Sequence, residues 1–463
     1  MSDSPSPQAS ESIRVGTARS VITPPLGVLG TWRLRSSTAT AVHDELMADA
    51  LVIERSGTQL ALVSLDLVAV DAAFSGAVRS RASERTGIPA DAIIVNASHN
   101  HSAPAWPLEP APEGSPLRNW GESLIDRVVG CIEAAHRTTR PARIGLGYVA
   151  VSGLAVNRVW PEQPVDDRVT VIRIDAEDDA PILTVLSLAC HALTVGGHTT
   201  DWTADFPGSI RRHLEDALPG SRAMFLQGAA GDMAPFDYWF GNPDPQPMGF
   251  ATMDQFGAEV AGAAVAARAR IRTSANVDLD WGAAPLTLQR RQVPWSAEEI
   301  RLAREAAPTP DVAALPPVWP CHLHTVNSAQ TMPDFYVDAA LTEFEGLLDH
   351  GGSPLETTLR AVRLGSLTIL ATPFELFSDL AFDVARSQDG RGQTLVLGYC
   401  DDYLGYFPPD GGLGQIAAYT LDDQLDQDKA RWAYGITNTQ IADGEGQVFV
   451  RAATSLIDAV RDQ

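Results

Sequence analysis

The feature that most constrains the fold is a regular alternation of short apolar runs with longer segments of helical spacing. The runs are rich in β-branched residues, which favours buried strands. They are Leu60–Leu67, Ala92–Val95, Val169–Ile174, Pro181–Leu188, Ser366–Ala371 and Thr394–Leu397. Helical spacing is found over Asn119–Ala135, Phe206–Ala217 and Met253–Ile271. Strands that alternate with helices predict an α/β fold in which mixed β-sheets are flanked by helices.

The chain length and the positions of the proline-rich segments predict the domain organisation. A chain of 463 residues corresponds to two to four ordinary domains, or to one large enzyme domain with insertions. Residues 1–12 are polar and rich in Ser and Pro, so a disordered tail is predicted there. Residues 13–463 are interpreted as a single domain. The Pro-rich loop Ala307–Pro320 follows a charged helix-like segment, which predicts an insertion around residues 295–350.

The charge balance excludes several partners. The chain has 34 Lys and Arg residues and 58 Asp and Glu residues, which gives a net charge of −24 and a pI near 4.7. A nucleic-acid partner would need clustered basic residues, so none is expected. Neither a signal peptide nor an apolar run of about 18 residues is present, so no integral membrane segment is expected. The four cysteines are widely spaced, which predicts reduced thiols and a cytoplasmic location.

Side chains that can bind metals follow several of the predicted strands. His99 and His101 follow the run that ends at Val95, His191 follows Pro181–Leu188, Glu375 follows Ser366–Ala371, and Tyr403 and Tyr406 follow Thr394–Leu397. Ligands of α/β sheets converge at the carboxyl ends of the strands, so these groups are candidates for holding one cation. Imidazole and carboxylate suit zinc, and a catalytic zinc site leaves one position open for water.

Each of these residues also has a purely structural interpretation. A loop histidine often satisfies backbone groups, and a histidine directly after a strand is often buried and hydrogen-bonded. Glu375 could favour the first turn of the helix that follows it, and the two tyrosines could serve in ordinary packing. A competing metal-binding cluster follows the Pro-rich loop and consists of Cys321, His322 and His324.

A Gly-rich segment, Gln227–Pro235 with the sequence QGAAGDMAP, follows another apolar run. Its small residues allow the backbone to approach a ligand closely. Asp232 is its strongest polar group and is a candidate substrate-binding residue; it could instead lie behind a metal or hold the turn. His198, in the loop GGHTTDW, is a second candidate substrate contact. No dinucleotide-binding, P-loop or nucleophile-elbow motif occurs in a strand–turn–helix context.

Five stretches, taken in order, resemble the neutral/alkaline (non-lysosomal) ceramidase family in its short bacterial form, without the C-terminal immunoglobulin-like domain. The central block is the most specific of them. The stretches are RVGTARSVITPPLGVLGTW; VHDELMADALVIERSG with LVSLDL; NASHNHSAP; ACHALTVGGHTTDWTADFPGSIRRHLE with FLQGAAGDMAP; and PFELFS with DDYLGY. Together they extend from residue 14 to the end of DDYLGY, and residues 13–463 are therefore expected to form a ceramidase-like catalytic domain.

The resemblance implies a zinc-dependent amidase that cleaves the C–N bond of an N-acyl amide or related small amide by attack of zinc-bound water. Carried over by position, the implied zinc ligands are His99, His191, Glu375 and Tyr406. His101 would contact the oxyanion or assist proton transfer. Arg158, in AVNRVW, matches an arginine that lines the site, and Tyr419 lies near a further active-site tyrosine. The implied partner is a small amide or acyl compound; the oligomeric state stays open.

One departure from the family pattern bears on mechanism. The family carries a serine, once proposed as nucleophile, where this chain has Ala234. An acyl-enzyme at this position is therefore excluded, and direct attack by water is expected. Two other functions remain open: an esterase, lactonase or cyclic-amide hydrolase that uses the same zinc site, and a non-catalytic family member that binds an acylated ligand.

Overall fold

The structure is a computed structural model, and it describes residues 12–27, 39–104, 114–160, 162–195, 199–236, 248–306, 341–411 and 439–463. Residues 1–11 of the predicted tail and residues 307–340 of the predicted insertion lie outside the described residues. The predicted domain limits therefore stay predictions.

The largest sheet has eight strands, in the spatial order β4-β3-β2-β1-β5-β7-β8-β9. The strands are β1 (Arg14–Val21), β2 (Met47–Arg55), β3 (Thr58–Leu65), β4 (Ile93–Ala97), β5 (Arg140–Ala150), β7 (Arg168–Ala176), β8 (Pro181–Leu188) and β9 (Arg222–Gln227). Only the outermost pairs, β3 with β4 and β8 with β9, are parallel. Strands β3 and β8 are buried along most of their length, as expected where both faces of a sheet are covered.

A second sheet and two short ladders complete the strands. The second sheet has the order β11-β12-β13-β15, and its β13 and β15 are parallel. Its strands are β11 (Leu279–Leu288), β12 (Leu355–Leu364), β13 (Leu367–Ala371) and β15 (Gln393–Leu397). The short ladders pair β6 (Val156–Asn157) with β10 (Met233–Ala234), and β14 (Glu375–Leu376) with β16 (Tyr406–Phe407). The ladders are small, but they carry several of the candidate site residues.

Helices cover the sheets. They are α1 (Ala72–Thr86), α2 (Pro116–Arg137), α3 (Asp205–Ala217), α4 (Phe250–Arg268), α5 (Ala297–Ala306), α6 (Ser378–Ser387) and α7 (Glu445–Arg461), with a 3₁₀ turn at Ala90–Ala92 and helical residues at 341–349. Asp71 caps α1 by accepting a hydrogen bond of 2.7 Å from the Phe74 N–H. Within the described ranges, no helix is long and apolar enough to cross a membrane.

Close packing fixes α2 on the large sheet. A Cβ atom at Gly16 of β1 would lie only 1.9 Å from the carbonyl oxygen of Ala135 in α2, so only glycine fits at this crossing. The apolar face of α2, which includes Leu124, Val128 and Ile132, is fully buried against the sheet. Burying these apolar side chains stabilises the packing of α2 against the sheet.

The two large sheets meet at Asn96, near the carboxyl end of β4. The Asn96 side chain accepts a hydrogen bond of 2.8 Å from the Gln227 N–H of β9 and donates one of 2.8 Å to the Gly398 carbonyl after β15. The carboxyl ends of three strands are therefore held side by side, and the chain segments that follow them share one small volume. The architecture confirms the predicted α/β fold with mixed sheets flanked by helices.

Candidate metal centre

His99 lies directly after β4 in the left-handed region, with φ 56°, and its side chain is almost fully buried. Its Nδ1 atom donates a hydrogen bond of 2.8 Å to the Val68 carbonyl oxygen. A carbonyl can only accept, so the proton sits on Nδ1 and Nε2 keeps its lone pair. The ring stacks on Tyr399 with 4.1 Å between centroids, which fixes the direction of that lone pair.

His191 follows β8 and is fully buried. Its Nδ1 atom lies 2.6 Å from the Ala230 carbonyl oxygen and 3.0 Å from that of Met233, so this nitrogen also carries the proton. Burial and the nearby Arg158 guanidinium lower the pKa of His191 to about 3, which keeps the ring neutral at pH 7. A neutral imidazole with its Nδ1–H held by backbone carbonyls is the form that binds metals through Nε2.

Glu375 lies in β14, and its Oε2 atom is 3.1 Å from His191 Nε2 and 3.3 Å from His99 Nε2. Glu375 is almost fully buried, so its Oε2 atom meets the two imidazole nitrogens out of contact with water. Two lone pairs then face one carboxylate oxygen, an arrangement that a bound cation would stabilise. The donor set therefore fits a metal ion.

His101 completes a group of three histidines. Its Nε2 atom lies 3.1 Å from that of His99, and one ring nitrogen from each of His99, His101 and His191 lies within 4.8 Å of the others. His101 is partly exposed and is the accessible member of the trio. Burial of its ring among the site residues, together with His99 and His191, holds its pKa well below the usual range. It is thus a neutral base at pH 7.

Arg158, which directly follows β6, connects the imidazoles to the phenol predicted as a ligand. Its Nη2 atom lies 3.0 Å from His191 Nε2 and donates a hydrogen bond of 2.9 Å to the Tyr406 hydroxyl. Tyr406 is paired with Glu375 in the β14–β16 ladder, so the two residues are neighbours on adjacent strands. The structure thus brings together six of the predicted site residues: His99, His101, Arg158, His191, Glu375 and Tyr406.

Two tyrosines outside the implied ligand set contact Glu375. The Tyr403 hydroxyl makes a short hydrogen bond to Oε1, and the Tyr399 hydroxyl lies 3.4 Å from Oε2. The sequence places Tyr403 among the strand-end candidates, with packing as the alternative, and the sequence reasoning missed Tyr399. The signal for Tyr399 was available, since it follows the strand Thr394–Leu397 as closely as His99 follows β4. The helix-cap alternative for Glu375 does not hold, because α6 begins three residues later, at Ser378.

Asp232 lies behind these residues and is fully buried. Its carboxylate accepts hydrogen bonds from the Asn157 side chain at 2.7 Å and from the Ser378 N–H at 2.8 Å. These contacts correspond to the option in which Asp232 holds the Gly-rich turn; a substrate contact for it stays a prediction. Ala234 is in β10, fully buried and opposite Val156, so no hydroxyl is presented from this position.

The remaining candidates cannot be placed. His198, Tyr419 and the competing cluster Cys321, His322 and His324 all lie outside the described residues. Within the described residues, the trio His99, His101 and His191 marks the candidate centre, with Glu375 beside it, and no group of three or more histidine, cysteine or acidic side chains with metal-binding geometry lies elsewhere.

The sequence matches no model of a known protein family, and no curated protein matches it either. Among solved structures, the chain is similar to a neutral ceramidase from Pseudomonas aeruginosa, with a TM-score of 0.66 and 17% identity over 97% of this chain and 75% of that chain. A ceramidase complexed with C2 gives a TM-score of 0.64 and 17% identity over 97% of this chain and 76% of that chain. The fold is that of the neutral ceramidases.

The neutral-ceramidase fold confirms, for the architecture, the resemblance that the sequence motifs indicated. Because the similarity covers 97% of the chain, it includes both large sheets and the strands that precede the candidate ligands. At 17% identity it establishes the fold alone. The chemistry of the centre therefore depends on the geometry of this chain's own side chains.

Proposed function

We propose that the protein is a zinc-dependent hydrolase that cleaves the C–N bond of an N-acyl amide or a related small amide. One observation carries the proposal. The Nδ1–H groups of His99 and His191 are held by backbone carbonyls, and both Nε2 atoms lie within 3.3 Å of the same Glu375 oxygen. Two oriented nitrogen ligands and one carboxylate are the usual protein ligands of a catalytic zinc.

His99, His191 and Glu375 would hold the zinc ion, with the Tyr406 hydroxyl as the predicted fourth ligand. A zinc ion bound there supplies a Lewis acid for the substrate carbonyl and acidifies a coordinated water. The resemblance between this fold and that of the neutral ceramidases supports an amide as the bond cleaved. Ceramide itself is not implied by the fold, and a smaller amide suits the proposal equally.

The chain's own residues would perform the other steps. Arg158, a permanent cation within 3.0 Å of His191 Nε2, would face the negative charge that develops on the amide oxygen. His101, neutral and partly exposed, would accept a proton from the attacking water and return it to the departing amine. Ala234 has no hydroxyl, so no acyl group is transferred to it. Tyr419 and His198 stay predicted catalytic and substrate-binding residues, respectively.

Metal content tests the proposal. Elemental analysis of protein purified without added metal should give about one zinc per chain, and replacing His191 by Ala should remove it. His213→Ala is the matched control, because His213 contacts the exposed Asp254 rather than the candidate centre. The proposal is wrong if wild-type protein contains no metal, or if His191→Ala contains as much zinc as wild type.

Substrate class requires a separate measurement. The same groups would serve an ester or a lactone, and Ala234 also motivates the reading in which the protein only binds an acylated ligand. Hydrolysis rates on matched amide, ester and lactone substrates of zinc-loaded protein would separate these functions. Faster turnover of the ester or lactone than of the amide would identify the protein as an esterase or lactonase. Tight binding of the substrates without turnover would identify it as a binding protein.

A further inference from the structure

The turn formed by residues 230–233 contacts three residues of the candidate centre, which are His191, Arg158 and Glu375. Its backbone carbonyls face two site residues. Those of Ala230 and Met233 accept from the Nδ1–H of His191, and that of Gly231 accepts from Arg158 Nη2 at 2.8 Å. The Asp232 carbonyl accepts the Arg158 backbone N–H at 2.7 Å. One turn therefore fixes the orientation of both the His191 imidazole and the Arg158 guanidinium.

The same turn is also fastened to the segment that carries Glu375. The Gly231 N–H donates a hydrogen bond of 2.9 Å to the Leu376 carbonyl. A Cβ atom at position 231 would lie 2.4 Å from the Glu375 carbonyl oxygen, so the two backbones are in direct contact. Any shift of the turn would consequently move the carboxylate relative to His191.

Asp232 is the residue that locks this turn in place. One carboxylate oxygen accepts the Ser378 N–H at 2.8 Å, and the other accepts the Asn157 Nδ2–H at 2.7 Å and the Ser378 hydroxyl at 2.7 Å. Ser378 is the first residue of α6, where a negative charge is favoured by the helix dipole. Asn157 in turn caps the backbone after Arg158 by accepting from the Trp160 N–H at 2.7 Å.

We infer that Asp232 is a positioning residue for the metal centre: its carboxylate ties the 230–233 turn to β6 and α6 and so holds His191, Arg158 and Glu375 in mutual register. The inference rests on the proposed function, because it concerns the affinity of that centre for zinc. Asp232 touches neither the candidate ligands' side chains nor an open space, so it acts through the turn. Outer partners of metal ligands typically change metal affinity about 10–100-fold when replaced.

The test compares Asp232→Asn with Asp175→Asn. Both aspartates are fully buried and hydrogen-bonded, but Asp175 pairs with Arg173 and Arg268 and has no contact with the centre. In Asp232→Asn, the amide nitrogen would face either the Asn157 donor or the Ser378 N–H, so one of these two links breaks in either orientation of the amide. We expect zinc affinity, measured by competition with a chromophoric chelator, to fall about 10–100-fold in Asp232→Asn and to change less than about 3-fold in Asp175→Asn.

The visible absorption spectrum of the cobalt-substituted protein gives a second readout that general destabilisation does not move. It should change in Asp232→Asn and stay that of wild type in Asp175→Asn. Ser378→Ala, which removes only the hydroxyl donor, should shift affinity and spectrum in the same direction by a smaller amount. If Asp232→Asn does not fold, wild-type affinity and spectrum in Ser378→Ala overturn the inference.

The outcomes for the two proposals are distinct. If wild-type protein binds zinc and Asp232→Asn binds it equally well with an unchanged cobalt spectrum, the positioning role is wrong and the proposed function stands. If wild-type protein binds no zinc, the proposed function is wrong and the positioning role is overturned with it.

Discussion

The Oδ1 atom of Asn96 accepts a hydrogen bond of 2.8 Å from the Gln227 N–H, which joins β4 to β9, the two edge strands of the large sheet. The Asn96 Nδ2 atom reaches the second large sheet by donating to the Gly398 carbonyl at 2.8 Å. Asn96, Gln227 and Gly398 are all buried, so removing the Asn96 side chain leaves a buried N–H and a buried carbonyl without these hydrogen bonds.

Replacing Asn96 by Ala should therefore lower the free energy of unfolding by about 2–6 kcal/mol, since each of the two orphaned buried partners costs about 1–3 kcal/mol. Urea unfolding followed by circular dichroism measures the change. Asn276→Ala is the control, because Asn276 is exposed and should shift stability by less than about 0.5 kcal/mol. Equal effects in the two variants would contradict a joining role for Asn96.

Replacing Glu375 by Gln should separate folding from metal binding. The carboxamide keeps the size of the side chain but removes the charge that faces two imidazole lone pairs. At pH 8, metal-free Glu375→Gln should therefore unfold at a temperature at least as high as wild type. Its zinc affinity should fall by at least about 100-fold, beyond the range typical of outer partners. Calorimetry and chelator competition measure the two effects; unchanged zinc affinity would exclude Glu375 as a ligand.

Tyr403 should support the metal centre through Glu375, because its hydroxyl donates to the carboxylate oxygen that faces away from the histidines. Tyr403→Phe removes only this donor, and zinc affinity should fall about 10-fold or more. Tyr148→Phe is the matched control, since Tyr148 is 58% exposed. Identical affinities in the two variants would show that the Tyr403 hydroxyl has no influence on the centre.

The stability of the protein should depend on pH through Asp232. Burial raises the pKa of this carboxyl from 3.8 to about 6, so the folded state favours its protonated form. The stabilisation from this proton is complete below pH 4 and is lost as pH rises through about 6, a change of about 3 kcal/mol. The difference in unfolding free energy between wild type and Asp232→Asn should therefore decrease by about that amount between pH 4 and pH 7. If this difference in unfolding free energy increases with pH, the predicted effect of Asp232 on stability is wrong.

Gly231→Ala should disturb the centre, because its Cβ atom would lie 2.4 Å from the Glu375 carbonyl oxygen and one of the two segments must move. We expect lower zinc affinity and lower thermal stability. Gly262→Ala provides the contrast, since Gly262 lies in α4 with nothing within 4 Å of its Cβ position. That variant should be stabilised by about 0.5–1 kcal/mol. Wild-type affinity in Gly231→Ala would refute the close packing.

The sequence predicted several strands whose residues form short continuous apolar runs. Strands β8, β13 and β15 were found within two residues of their bounds, because continuous apolar runs mark such strands. Strand β11 was missed because seven of its ten positions are exposed or partly exposed and Pro285 interrupts it; β11 is an edge strand, where proline is tolerated.

The candidate site was only partly predictable for a related reason. His99, His191 and Glu375 stand out because each follows an apolar run. The contacts that orient them are long-range: His191 and Glu375 are 184 residues apart, and Arg158 and Tyr406 are 248 apart. Tyr403 and the 230–233 turn gain their roles only from the way the sheets approach one another. No local pattern encodes that approach.

The candidate ligands are unevenly distributed over the large sheet. His99 and His191 follow strands of its two parallel edge pairs, and none of the candidate ligands is carried by the four strands β1, β2, β5 and β7 between them. Substitutions in these central strands would therefore reach the candidate centre only through packing. Sequences with this fold could differ widely there and still hold the candidate ligands in the same relative positions.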